Sequence, residues 1–204
     1  MCERQQIQTG RPGSIDRGAV HCVSGMSDPR VVYVALIGFG SANRALAKLL
    51  LDSQSYVLQR QNLAIRCSGI FTRHGAVWDM HAGSIDLAQA LAAAESGANL
   101  ATTNTDGRAQ RFVGGDSGIF GTEQTVETLR GLREAGKCDA VLEAIVANYE
   151  DAEPAASFAR FTLNAGIHYI TANKSPVALC YSELTKLAEQ NGCKFRATPA
   201  PTSC

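Results

Sequence analysis

The feature that most constrains this chain is an abrupt change of hydrophobic period across a glycine turn. Val31-Val32-Tyr33-Val34-Ala35-Leu36-Ile37 is a continuous apolar run rich in β-branched residues. Such a run suits a strand buried on both faces, as in a parallel sheet. Gly38-Phe39-Gly40 follows at once. Beyond it Ala42, Leu46, Leu49 and Leu50 recur at helical spacing. Strand, glycine turn and helix in that order open a βαβ unit. Gly38 permits the tight turn, and Gly40 lets the backbone approach a pyrophosphate seated on the amides that start the helix. Gly38, Phe39, Gly40, Ser41, Ala42 and Asn43 are therefore the predicted phosphate-binding stretch of a dinucleotide site. Asn43 stands where a third small residue commonly lets helix and strand pack closely. Its side-chain amide is a candidate phosphate donor. The competing reading is an ordinary tight strand-to-helix connection.

The alternation continues. Residues 63–71 read as a second strand. Residues 85–94 read as a helix, with Ser84 as N-cap and Gly97 as its stop. Residues 98–121 are rich in Gly, Thr, Asn and Asp and read as a loop. Further helices are predicted over 123–135, 154–165 and 181–190, and strands over 140–146, 168–171 and 193–196. Strands alternating with helices imply an α/β fold, a Rossmann-type doubly wound, mostly parallel sheet over residues 31–196. Residues 1–30, broken by Gly10, Pro12, Gly13, Gly18 and Gly25, are expected to be a disordered or non-native extension, with Met26 a candidate start. Residues 197–204 are expected to be a tail outside the fold, because Pro199 and Pro201 cannot continue a central strand.

Charge and composition exclude other classes. Nineteen Lys and Arg balance nineteen Asp and Glu. There is thus no electrostatic case for nucleic acid or an anionic membrane as partner. No apolar run is long enough to span a bilayer. The seven cysteines form no C-x-x-C pair, and the four histidines have no ligand spacing. No metal site is predicted, and reduced thiols in a cytoplasmic protein are the simplest reading.

The cofactor can be narrowed further. An acid at the end of the second strand would accept the ribose hydroxyls of NAD. No acid occurs between Asp52 and Asp79, and the second strand ends in Thr72-Arg73-His74-Gly75. Arg73, with His74 beside it, is placed to meet a 2′-phosphate by charge-assisted hydrogen bonds. NADP is therefore expected over NAD, with NAD possible. The alternative is that both are solvated loop residues.

The second half carries a more specific signal. Asp139-Ala140-Val141-Leu142-Glu143-Ala144 is followed by Asn148-Tyr149-Glu150-Asp151-Ala152-Glu153-Pro154. Then come Ala165-Gly166-Ile167-His168-Tyr169-Ile170-Thr171-Ala172-Asn173-Lys174-Ser175-Pro176 and Tyr181-Ser182-Glu183-Leu184-Thr185-Lys186-Leu187-Ala188. This order resembles the homoserine dehydrogenase family, with Thr-Ala-Asn-Lys-x-Pro its most specific part. The opening Ile37-Gly38-Phe39-Gly40, Arg44-Ala45-Leu46 and Asp86-Leu87 also fit.

The resemblance implies an NAD(P)-dependent oxidoreductase interconverting L-homoserine and L-aspartate 4-semialdehyde, a step toward threonine and methionine. Lys174 inherits a catalytic place beside the nicotinamide and the substrate. Ala172 and Asn148 inherit places near the cofactor. Ile145 and Ala147 stand where the family commonly has Thr. After Phe195-Arg196 the family continues into a substrate domain that also supplies its homodimer interface, whereas this chain reads Ala197-Thr198-Pro199-Ala200-Pro201-Thr202-Ser203-Cys204. The expectation is a cofactor-binding part with little or no turnover alone. The alternatives are a non-catalytic NADP-binding module, a gene-boundary artefact, or another small-substrate Rossmann dehydrogenase, which the Thr-Ala-Asn-Lys stretch argues against.

Overall fold

The computed structural model describes residues 28–100, 109–113 and 121–198. Seven strands form one sheet in the order β4-β3-β2-β1-β5-β6-β7. They are β1 (Arg30–Ile37), β2 (Leu63–Thr72), β3 (Gly75–Trp78), β4 (Gln110–Val113), β5 (Ala140–Glu143), β6 (His168–Thr171) and β7 (Phe195–Ala197). Strands β2, β1, β5, β6 and β7 are mutually parallel, while β3 and β4 run antiparallel to their neighbours. The predicted α/β, Rossmann-type, mostly parallel sheet is what the chain forms.

The helices are α1 (Ser41–Gln61), α2 (Leu87–Ser96), α3 (Thr122–Glu134), α4 (Ala155–Asn164) and α5 (Ser175–Gln190). Successive residues of β1 feed opposite faces of the sheet, as strand geometry requires. Val34 and Leu36 join a core with Ala47 of α1 and Ala90 and Leu91 of α2. Ala35 and Ile37 join a core with Leu129 of α3, Phe158 of α4 and Leu184 of α5. A strand with two apolar faces is affordable only in the middle of a three-layer stack. That is why the continuous run 31–37 marks the centre of the sheet. After β1 the chain goes one way to β2, and later returns to place β5 on the other side of β1. This is the topological switch point, where doubly wound sheets hold their ligands.

Several boundaries differ from the sequence reading. The segment 98–121 is not all loop: residues 110–113 form β4, paired with β3. Strand β3 was itself unexpected, because the tight β2–β3 turn lacks the Asn-Gly signature of a two-residue hairpin. The turn is closed instead by the Thr72 hydroxyl donating to the Gly75 carbonyl at 2.7 Å. Helix α2 is capped by Asp86, which accepts from Ala88 and Gln89 N–H, and not by Ser84. Ile85 is still extended there, its N–H donating to Cys67 O of β2. Helix α5 starts at Ser175, six residues before Tyr181. Pro176 lies in its first turn, where the missing N–H is an orphan in any helix. Helix α1 runs to Gln61 and ends on Asn62, which takes the left-handed conformation. The predicted N-terminal extension up to residue 27, most of the 98–121 loop and the tail beyond residue 198 lie outside the described residues, whereas Arg30, assigned to the extension, opens β1 and Ala197, assigned to the tail, closes β7. Among the described residues no helix is long and apolar enough to cross a membrane.

Candidate functional site

The predicted residues gather at one edge of the sheet, beyond the C-terminal ends of its parallel strands. Gly38 to Asn43 follow β1, Arg73 and His74 follow β2, Asn148 follows β5, and Ala172 to Lys174 follow β6. Because β2, β1, β5 and β6 are consecutive in the sheet, these four loops line one crevice.

The two glycines of the turn have different jobs. Gly38 has φ +80°, and a Cβ there would lie 2.5 Å from Ala144 O and 2.9 Å from Ile145 Cγ2. The loops after β1 and β5 thus touch through a hydrogen atom. Gly40 is the N-cap of α1 with φ −81°, and a Cβ there would meet nothing within 4 Å. Nothing in the protein demands glycine at position 40, so the space beside it is free for a ligand. The first intrahelical bond of α1 runs from Arg44 N–H to Gly40 O. The N–H groups of Ser41, Ala42 and Asn43 therefore have no helical acceptor, and Gly40 has no side chain to cap them. Three free amides at a helix N-terminus, with the helix dipole behind them, suit an anion. An anion there would be met by the backbone alone. Phe39 contributes only its main chain, since its ring is buried in the α1–α2 core.

Asn43 corrects one expectation. Its side chain is buried, and Nδ2 reaches Gly38 O at 2.7 Å, Ile37 O at 3.2 Å and Leu142 O at 3.3 Å. The amide is turned inward onto carbonyls of β1 and β5 and is not offered to a phosphate. It replaces the missing small residue by clamping the start of α1 to the two central strands. Asn43→Ala is expected to lower stability by about 1–3 kcal/mol, because it removes the buried amide donor that ties Gly38 O and Leu142 O together. Urea unfolding checks this, and an unchanged midpoint would remove the clamp from the account.

Arg73 and His74 form the exposed tip of the β2–β3 turn. Asn99 Nδ2 donates to His74 O at 2.8 Å and steadies the turn from outside. Arg73 makes no ion pair among the described residues. Its guanidinium is uncommitted at the place where the adenosine ribose lies in this fold class.

On the other flank, Lys174 is exposed as the N-cap of α5, and Ala172 beside it is also exposed. Asn148 is less direct than expected. Its Nδ2 donates to Asp151 Oδ1 at 2.8 Å and its Oδ1 accepts from Glu150 N–H at 3.0 Å. The side chain thus shapes its own loop, and its backbone N–H donates to Ser175 Oγ at 3.3 Å.

Sequence reasoning missed the group beneath these loops. Glu143, 2% exposed at the end of β5, accepts from Ile145 N–H at 2.7 Å and Thr171 Oγ1 at 2.6 Å. Tyr169 OH lies 3.2 Å from the same carboxylate, and Asn173 Nδ2 lies 3.5 Å from it. Burial, with the Glu143 carboxylate alongside, pushes the Tyr169 hydroxyl well above its ordinary pKa, so it stays a donor. The available signal was an acid closing an otherwise apolar strand. No cluster of three or more His, Cys, Asp or Glu able to hold a metal occurs among the described residues.

A surface groove of about 480 Å3 lies elsewhere among the described residues, between Leu50 and Gln54 of α1, Ile65 of β2, and Ile85 and Leu87. It borders the N-terminal half of β2, away from the loop edge. The free amides, the open glycine and the uncommitted cation lie instead at the loop edge.

Sheet order, switch point and glycine turn together define a Rossmann-type domain. No protein-family model matches the chain. Its homologues, by sequence and by structure, are homoserine dehydrogenases. It is 34% identical over 164 residues to an NAD(+)-dependent homoserine dehydrogenase of Pseudomonas canavaninivorans, covering 79% of this chain and 41% of that protein. It is 26% identical over 163 residues to the homoserine dehydrogenase of Methanocaldococcus jannaschii, covering 80% of this chain and 43% of that one. In fold it is similar to a hyperthermophilic archaeal homoserine dehydrogenase in complex with NADPH, with a TM-score of 0.60 and 24% identity over 82% of this chain and 43% of the other. The chain thus spans about two fifths of the length of these relatives.

Proposed function

We propose that this chain is the cofactor-binding part of a homoserine dehydrogenase, with residues 31–196 as its nucleotide domain and NADP as its preferred cofactor. The observation that carries the reading is the open glycine turn. Gly40 and the three free amides of α1 form a cradle that the protein itself leaves unfilled. Bound NADP would supply or accept a hydride at its nicotinamide. The backbone of Gly38 to Asn43 would hold the pyrophosphate, and Arg73, with His74 beside it, would meet the 2′-phosphate. Lys174 would stand at the nicotinamide end, where an ammonium can polarise an alcohol or carbonyl oxygen of the substrate. Asn148 and Ala172 shape the loops on either side of it. Homoserine is the small-molecule substrate that the relatives' names imply, and a cytoplasmic setting suits the free thiols.

The relatives include an NAD(+)-dependent enzyme and an NADPH complex, so kinship alone does not choose between cofactors. The β2–β3 turn supports NADP. Titration with NADPH and NADH, followed by nucleotide fluorescence, needs no substrate and tests both points. We expect saturable NADPH binding and weaker NADH binding. Arg73→Ala should weaken NADPH binding by about tenfold or more, the loss of a charge-assisted pair, and leave NADH unchanged. Absence of binding to either nucleotide would sink the cofactor reading. Equal losses for both would sink the Arg73 assignment alone.

A further inference from the structure

We infer that Glu143 is the positioning residue of the nicotinamide side of the site, holding the loops of Asn148 and Lys174 in one arrangement through a buried hydrogen-bond relay. The inference rests on the cofactor reading above and adds a residue that touches no ligand.

The relay can be followed atom by atom. One carboxylate oxygen of Glu143 accepts from Ile145 N–H at 2.7 Å, fixing the first turn of the loop after β5. The same oxygen faces Asn173 Nδ2 at 3.5 Å. Asn173 Oδ1 in turn accepts from Ser175 N–H at 3.0 Å and from Ser175 Oγ at 2.8 Å. Ser175 Oγ accepts from Asn148 N–H at 3.3 Å. Lys174 is thus flanked by two pinned neighbours, and Asn148 is tied to the far end of the same chain of bonds. Glu143 O also accepts from Ala172 N–H at 2.9 Å. Asn173, Ser175, Thr171 and Tyr169 are all buried, so water does not compete for these groups.

The second carboxylate oxygen meets two hydroxyls, and each has an alternative. Thr171 Oγ1 lies 3.3 Å from Asn173 O, and Tyr169 OH lies 3.2 Å from Ala155 O. No ion pair joins Glu143 to a cation among the described residues. A buried carboxylate without a counter-charge is costly unless donors surround it. This one spends its donors on two ligand-side loops, the arrangement of a supporting shell around a binding site.

The proposal separates the two halves of the nucleotide. Arg73 and the glycine turn serve the adenosine and phosphate half, while the Glu143 relay serves the nicotinamide half. NADPH and adenosine 2′,5′-bisphosphate, which lacks the nicotinamide, are therefore the probes. For Glu143→Ala we expect NADPH affinity to fall about tenfold or more, with affinity for the bisphosphate held within about twofold. Glu143→Gln should restore most of the loss: its oxygen can keep Ile145 N–H and Asn173, and its amide can donate to the two hydroxyls once they turn to their alternative acceptors. If Glu143→Ala does not fold, Ser175→Ala cuts the same relay with the loss of one buried oxygen and should show the same selective effect. Losses that are equal for both probes, or absent from both variants while wild type binds both probes, would overturn the positioning role and leave the cofactor reading standing. A wild-type chain that binds neither probe would overturn both.

Discussion

Replacing Gly38 by Ala will cost this fold about 2–5 kcal/mol, seen as a large drop in the midpoint of urea unfolding. Two independent terms add. The residue sits at φ +80°, and a left-handed conformation costs an L-residue with a side chain roughly 1–2 kcal/mol. The new methyl would also lie 2.5 Å from the carbonyl oxygen of Ala144 and 3.0 Å from its carbon. Those are backbone atoms at the end of a central strand. They are held by Ala144 N–H donating to Ile37 O at 2.9 Å, so they cannot swing away as a side-chain tip would. Forcing extra volume into such a place costs about 1–3 kcal/mol. The sum is a large share of the roughly 5–15 kcal/mol that holds a domain together. A loss below about 1 kcal/mol would mean that the loops after β1 and β5 do not meet as closely as described.

The centre of the sheet was legible because its physics is local. A strand with two apolar faces, the run 31–37, can sit only where helices cover both sides, and Gly38 announced where it ended. The same reasoning found β5 and β6. What failed was at the periphery. Strand β3 has four residues and begins with a glycine, and β4 lies in a polar stretch, so neither shows a period. Both exist because β2 offers its outer edge to a partner, a long-range effect that no window of sequence contains. The late start assigned to α5 has a different origin. Pro176 sits in the first turn, where proline is harmless, so the helix is already under way before Tyr181.

The site divides in the same way. Backbone contributions were readable, since glycine spacing reports directly on where the chain turns and where a helix N-terminus opens. Side-chain contributions were not. Asn43 has the chemistry to reach a phosphate or a carbonyl. Only the closeness of β1 and β5 decides for carbonyls, and that closeness is a property of the folded sheet. Glu143 was part of the family pattern, yet its role stayed hidden because its donors come from Ile145, Tyr169, Thr171 and Asn173. Three of those arrive from a strand and loop more than 25 residues away. An acid within an apolar strand is the one local hint of such a hub, since a buried carboxylate must find donors somewhere.

Gly40→Ala is the counterpart of the first substitution and should do the opposite. The chain keeps its fold and loses its ligand. At φ −81° alanine is unstrained, and its methyl meets no protein atom within 4 Å. The stability cost is that of a poorer N-cap, about 1 kcal/mol or less. The methyl would, however, project into the open space beside the start of α1, where a pyrophosphate must approach the backbone. We expect NADPH affinity to fall on the order of 100-fold, about 2.7 kcal/mol. The loss for adenosine 2′,5′-bisphosphate should be similar, because its 5′-phosphate uses the same amides. The pair of glycines then gives a double dissociation, stability lost at position 38 and binding lost at position 40. An ordinary tight strand-to-helix connection makes a different forecast, in which Gly38→Ala destabilises and Gly40→Ala changes nothing. Nucleotide titration of the Gly40→Ala chain beside its unfolding curve therefore separates a turn that merely reverses the chain from one built to hold a phosphate.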